Sequence, residues 1–151
     1  MKEIVLEEKS VYGMTTRTNL KDEMDPARAK IGPLWQKFDR EVPVAYEKGE
    51  RVYGLYYDYV DGMEGDFSVT AAYDGKVLPT LEEIHIEAGK YLLFEAEAAR
   101  ADDETRANTV LRLWGEVWAY FEKSPQHVRA FKRDFDFYRD ATHIEVYVSI
   151  L

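Results

Sequence analysis

The chain has 151 residues, enough for one domain with a single sizeable core, and its 46% hydrophobic and 32% charged composition is globular rather than disordered. Twenty Lys and Arg against twenty-nine Asp and Glu leave a formal charge of −9, a field that repels phosphate backbones and anionic bilayers and excludes nucleic acid and membrane as expected direct partners. With no cysteine, disulfides, thiolate zinc sites and cysteine nucleophiles are excluded as well.

The N-terminus carries no apolar run of signal-peptide length, and no stretch approaches the ~20 apolar residues that span a bilayer, so a cytoplasmic protein is expected. Lys2–Glu8 and Val11–Arg17 read as extended segments. Asp25-Pro26 suits a helix start, and Ile31, Leu34, Trp35 and Phe38 then mark one apolar helical face. Gly32-Pro33 inside that face implies either a kink or a restart with Pro33 in the first turn. Arg51–Val60 is a strand with Tyr53, Leu55, Tyr57 and Tyr59 on one face. The loop at residues 61–65 leads into the strand Asp66–Tyr73.

Leu81–Glu87 and Lys90–Ala98 are again extended. Asp102 or Asp103 caps a long helix to about Lys123, with Val110, Trp114, Val117, Trp118 and Phe121 on its buried stripe, and Ser124-Pro125 stops it. Val128–Phe131 suits a further helical turn. Phe135–Tyr138 and Thr142–Leu151 form a closing hairpin. In the last segment Ile144, Val146, Val148 and Ile150 alternate with Glu145, Tyr147 and Ser149, the period-2 pattern of a two-faced strand.

Strand, helix, strand, strand is therefore stated twice, over residues 1–75 and 80–151 of a single domain. Val11–Met14 aligns with Tyr91–Phe94, Leu34-Trp35 and Phe38 with Val117-Trp118 and Phe121, and Phe67–Tyr73 with Ile144–Ile150. Two halves related by a pseudo-two-fold axis leave a cleft at their junction.

Several chemistries lack their residues. His85, His127 and His143 are scattered without metal-ligand spacing, so neither a zinc site nor any cofactor is expected. Phosphate-binding glycine loops and a nucleophile elbow are absent. What remains is Glu145, an acidic residue in the most strand-like segment, among aromatics from the whole chain: Trp35, Tyr53, Tyr57, Tyr91, Trp114, Trp118, Phe137 and Tyr147. A carboxylate shut away from water needs a counter-charge, and aromatic faces attract cations by about 0.5–2 kcal/mol each. The same pair of groups could instead orient water, with a tyrosine hydroxyl beside the carboxylate.

The segments A88-G-K-Y-L-L-F94, L55-Y-Y-D-Y59, W114-x-x-x-W118-x-x-F121, D134-F-D-F-Y138 and H143-I-E-V-Y-V-S-I150 together resemble the GyrI-like superfamily, the effector-binding domains of AraC-type and MerR-type regulators and their stand-alone relatives. The resemblance implies an α+β fold of duplicated strand-helix-strand-strand modules, a curved antiparallel sheet with two helices on one side and a central cleft. It implies binding of hydrophobic or cationic small molecules against a buried glutamate, a role that falls on Glu145 in E-V-Y. Tyr147, Trp114, Trp118, Tyr57, Tyr91, Trp35 and Phe137 are then the candidate walls. Asp136 stands where many relatives have glutamate in F-E-x-Y. With no DNA-binding module before Met1, a separate receptor is expected rather than a regulator's DNA-binding part. Two alternatives stay open: a hydrolase of strained, cyclopropane-bearing toxins using Glu145 and Tyr147, and an interaction protein whose acidic surface docks on a regulator or on gyrase.

Overall fold

The computed structural model describes residues 1–62, 64–123 and 125–151; Met63 in the expected hairpin loop and Ser124 at the expected helix stop lie outside the described residues. The alternating segments form strands β1 (Lys2–Leu6), β2 (Lys9–Thr18), β3 (Val52–Tyr57), β4 (Phe67–Tyr73), β5 (Glu82–Ile86), β6 (Gly89–Glu97), β7 (Asp134–Tyr138) and β8 (His143–Ser149). The helices are α1 (Leu20–Glu23), α2 (Ile31–Glu41) and α3 (Asp103–Glu122), with a 3₁₀ turn at Tyr46–Lys48.

All eight strands join one curled antiparallel sheet in the order β1-β6-β8-β7-β3-β4-β2-β5. Exchanging β1–β4 for β5–β8 reverses that order and leaves it otherwise unchanged, the signature of two like modules meeting at β3 and β7. Across this junction Gly54 faces Asp136. Outward from it, Gly54 pairs with Ala71 and Ala71 with Met14, while Asp136 pairs with Val146 and Val146 with Phe94. The ladders thus match Met14 to Phe94, as aligned from sequence. They match Ala71 to Val146 rather than Val148, so Phe67–Tyr73 and Ile144–Ile150 correspond with a shift of two residues.

Helices α2 and α3 cover one face of the sheet. Leu34 and Phe38 of α2 pack on Met14, Val69 and Ala71, and Leu113, Trp114 and Val117 of α3 pack on Leu92, Phe94, Val146 and Val148. Tyr56 and Tyr138, from the two junction strands, touch both clusters and tie them together. Each fully buried Val, Leu or Phe side chain in these layers contributes about 1.5–3 kcal/mol. The opposite face carries a third cluster built on Leu55, Tyr57, Tyr91 and Phe135. No helix among the described residues is long and apolar enough to cross a membrane.

Some local expectations change. Asp25-Pro26 begins no helix; α1 starts earlier, where Asn19 accepts a hydrogen bond from the Asp22 amide at 2.8 Å. The second helix restarts at Ile31 with Pro33 in its first turn, and Glu23 caps it from a distance by accepting from the Lys30 and Ile31 amides at 2.9 and 3.2 Å. Asp102 caps α3 through the Thr105 amide. Val128–Phe131 makes no helical turn; Arg129 bridges Ile150 in extended form instead. Tyr59 leaves the face of Tyr53, Leu55 and Tyr57 because Asp58 adopts a left-handed φ of 52°, which breaks the alternation and sends Tyr59 to the helix-side core.

Candidate functional site

Of the three buried carboxylates among the described residues, Asp134, Asp136 and Glu145, the last two lie on opposite faces of the sheet, near its centre. Glu145 sits on the face away from the helices because its neighbours in β8, Ile144 and Val146, take the helix side; it is 1% exposed. Arg139 donates to Oε2, the Tyr147 hydroxyl donates to Oε1 at 2.8 Å, and His143 Nε2 lies 3.6 Å from Oε2. Tyr147 stacks on Phe135 at 4.6 Å, Tyr91 meets both rings edge-on, and Phe137 pairs with Glu145 across the ladder. Burial, and then the Glu145 hydrogen bond, raise the Tyr147 hydroxyl pKa, so it stays a donor. Glu145 therefore already has its cation, although the Arg139 side chain that supplies it is 55% exposed.

Asp136 is on the helix side and fully buried. Its Oδ2 accepts from the Tyr56 hydroxyl at 2.8 Å and from the Trp114 indole at 3.4 Å. Among the described residues no well-formed hydrogen bond reaches Oδ1, although the Tyr138 hydroxyl and the Gly54 amide lie near enough to lower the carboxyl's pKa. Among the described residues the groups acting most on Asp136 are neutral, and burial pushes its pKa up to about 6 against the hydrogen bonds that hold it down. Burial and the same carboxylate raise the Tyr56 and Tyr138 pKa well above the ordinary tyrosine range, so both keep their protons.

The rings around Asp136 come from both halves of the chain in a crossed arrangement. Tyr56 of the first half meets Trp114 of the second edge-on at 5.2 Å, and Tyr138 of the second half meets Trp35 of the first edge-on at 6.2 Å. Position 54 has to be glycine for this to fit. A Cβ there would stand 2.3 Å from Asp136 Oδ1 and 3.2 Å from Trp35 Cζ2. Gly54→Ala is expected to cost about 1–3 kcal/mol of stability by overpacking, read as a lower urea midpoint with unchanged slope.

The structure thus divides the expected wall. Tyr57, Tyr91, Phe137 and Tyr147 share the face of Glu145. Trp35 and Trp114 do not; they belong to the helix side, because the helices that carry them cover the face opposite Glu145. Trp118 also leaves the expected buried stripe: it is 37% exposed, one turn beyond Trp114. Asp136, which the resemblance sets in place of many relatives' glutamate, is a buried acid outside the expected set of site residues. Two open hollows, of ≈ 370 Å³ beside Tyr57, Phe131 and Arg133 and ≈ 300 Å³ beside Pro33 and Lys37, are lined by neither carboxylate.

The sequence matches the model of one family, described as Cass2, integron-associated effector binding protein, over residues 3–150. In structure the chain is similar to an integron cassette protein from the mobile metagenome of Vibrio cholerae, at 33% identity and a TM-score of 0.86, covering 99% of this chain and 95% of that one. It shares its fold with SAV2435, solved bound to tetraphenylphosphonium, at 18% identity and a TM-score of 0.70, covering 99% and 93% of the two chains. The fold also recurs in a putative bacterial transcription regulation protein from Staphylococcus aureus, at 17% identity and a TM-score of 0.69, over 99% and 96%. No curated protein matches the sequence.

Proposed function

We propose that this chain, which belongs to the family of integron-associated effector binding proteins, is a receptor for lipophilic organic cations that bind between α2 and α3. Asp136 is the counter-ion, and Trp35, Tyr56, Trp114 and Tyr138 are the walls. The observation that carries the reading is a fully buried carboxylate, paired with no cationic side chain among the described residues, with aromatic rings from both halves of the chain beside it. Ionising Asp136 in the closed protein is costly, and a large, weakly hydrated cation removes that cost while the rings add cation–π attraction of about 0.5–2 kcal/mol each. Trp35, Tyr56 and Tyr138 are only half-buried, so the path to the carboxylate runs past them, between the helices. Exposed Leu111 and Trp118 flank Trp114 on the same side of α3 and give that path an apolar rim.

Glu145 is the weaker choice of counter-ion, since Arg139 and Tyr147 hold both of its oxygens. A hydrolase acting through Glu145 would need one of those oxygens to accept a proton from water.

Titration with tetraphenylphosphonium tests the reading, because Trp35 and Trp114 would report it directly. A saturable fluorescence change at one cation per chain is expected; no saturable change at millimolar cation would overturn it. Affinity should also follow the state of Asp136. Binding favours the ionised form, so affinity is full above the free protein's pKa of about 6 and drops as acid protonates the carboxyl. About a tenfold loss between pH 7 and pH 5 is expected, measured by calorimetry at the two values.

A further inference from the structure

On the face away from the proposed receptor site, the register of β6 and β8 sets Glu95 opposite Glu145 and Glu97 opposite His143. One ligand atom each from Glu95, His143 and Glu145 lies within 4.8 Å of the others. His143 Nε2 is 3.2 Å from Glu95 Oε1 and 3.6 Å from Glu145 Oε2. A tetrahedral ion with bonds of about 2.0–2.1 Å holds its ligand atoms about 3.4 Å apart. The other ring nitrogen, Nδ1, lies 3.0 Å from Glu97 Oε1, and Tyr147 donates to the oxygen of Glu145 that faces away from His143. Metal-bound imidazoles are held in this way, the far N–H on a carboxylate and the near lone pair aimed at the ion.

We propose that Glu95, His143 and Glu145 form a site for one divalent transition-metal ion, zinc fitting best, with Glu97 and Tyr147 as the outer groups that orient the ligands. One imidazole and two carboxylates are a hard-to-borderline donor set that suits zinc and leaves a fourth position for water. Arg139 is the competitor: its guanidinium now bonds Glu145, and its 55% exposure lets it swing into solvent when the ion arrives. No spacing within one segment could have announced this site, because the strand pairing assembles it from residues 95 and 143–145. It is separate from Asp136 and stands whether or not that carboxylate binds a cation.

The test is calorimetric titration of the metal-free protein with zinc chloride, with thermal melting as a second readout. One zinc per chain and a raised melting temperature are expected. His143→Ala should weaken binding at least 100-fold, and Glu97→Gln, which removes only an outer group, about 10–100-fold. Arg139→Ala should tighten it, because the competing cation is gone. His85→Ala and His127→Ala, at the other histidines paired with carboxylates, should bind zinc as the parent does. Undiminished binding in His143→Ala with loss in either of those variants would overturn the proposal, as would a parent protein that takes up no zinc.

Discussion

Asp136→Asn is expected to weaken binding of a lipophilic cation by about 30–150-fold, some 2–3 kcal/mol, with the fold intact. The substitution keeps the shape of the side chain between Tyr56, Trp114 and Gly54 and removes only its charge. Glu145→Gln is the comparison, and its affinity should stay within about threefold of the parent, because the proposed cation never meets that face. The reverse pattern, loss with Glu145→Gln and none with Asp136→Asn, would move the counter-ion to the other side of the sheet.

The same substitution carries a stability signature. The folded protein holds the Asp136 proton up to a pKa of about 6, while an unfolded chain releases it near 3.8. The stabilisation is therefore present below the unfolded value and is lost as pH rises through 6. The loss amounts to about 3 kcal/mol across roughly two pH units. Asparagine has no proton to release, so the variant should show a flatter profile between pH 4 and 7. Near pH 7.5 it should melt above the unliganded parent.

Asp134→Ala should have the largest effect on folding itself. Asp134 is fully buried and accepts from Arg129 at 2.7 Å, the Tyr59 hydroxyl at 2.7 Å, and the Ser149 amide and hydroxyl at 2.8 and 2.9 Å. One carboxylate thus gathers the segment before β7, the end of β8 and the turn after β3. Truncation leaves the Tyr59 and Ser149 donors buried without this acceptor and removes one of the buried partners of Arg129, at a cost of about 3–5 kcal/mol. For a chain of this length that is roughly a 10–15 °C fall in melting temperature. An unfolding free energy within about 1 kcal/mol of the parent would contradict this account.

Period-2 alternation makes most of the sheet legible, and it also assigns each side chain to a face. The apolar positions of β8, Ile144, Val146 and Val148, are those a helix covers, so the parity of the strand already set Glu145 on the far face. Grouping it with Trp35 and Trp114 overlooked that parity, since a helical stripe says how a helix packs but not which face of the sheet receives it. Asp136 was harder to read. In D-F-D-F-Y the phenylalanines look buried and the aspartates exposed, as they would be in an edge hairpin. Only the pairing of β7 with both β3 and β8 places the strand mid-sheet and encloses both of its faces. The cue was the tyrosine two residues on, at Tyr138, a hydroxyl on the same side as two acids. The left-handed turn at Asp58 left only a weak sequence mark, because aspartate enters that region more readily than most residues but far less often than glycine.

The junction of the two modules is symmetric in its backbone but not in its chemistry, since one of the facing positions is Gly54 and the other Asp136. The duplicated junction therefore carries one carboxylate rather than a matched pair. Under the proposed function, a guest with a charged head and a bulky tail is expected to settle in a single orientation, its head toward β7. Placing a second acid at position 54 would not double the capacity, because its side chain would occupy the space the first one needs.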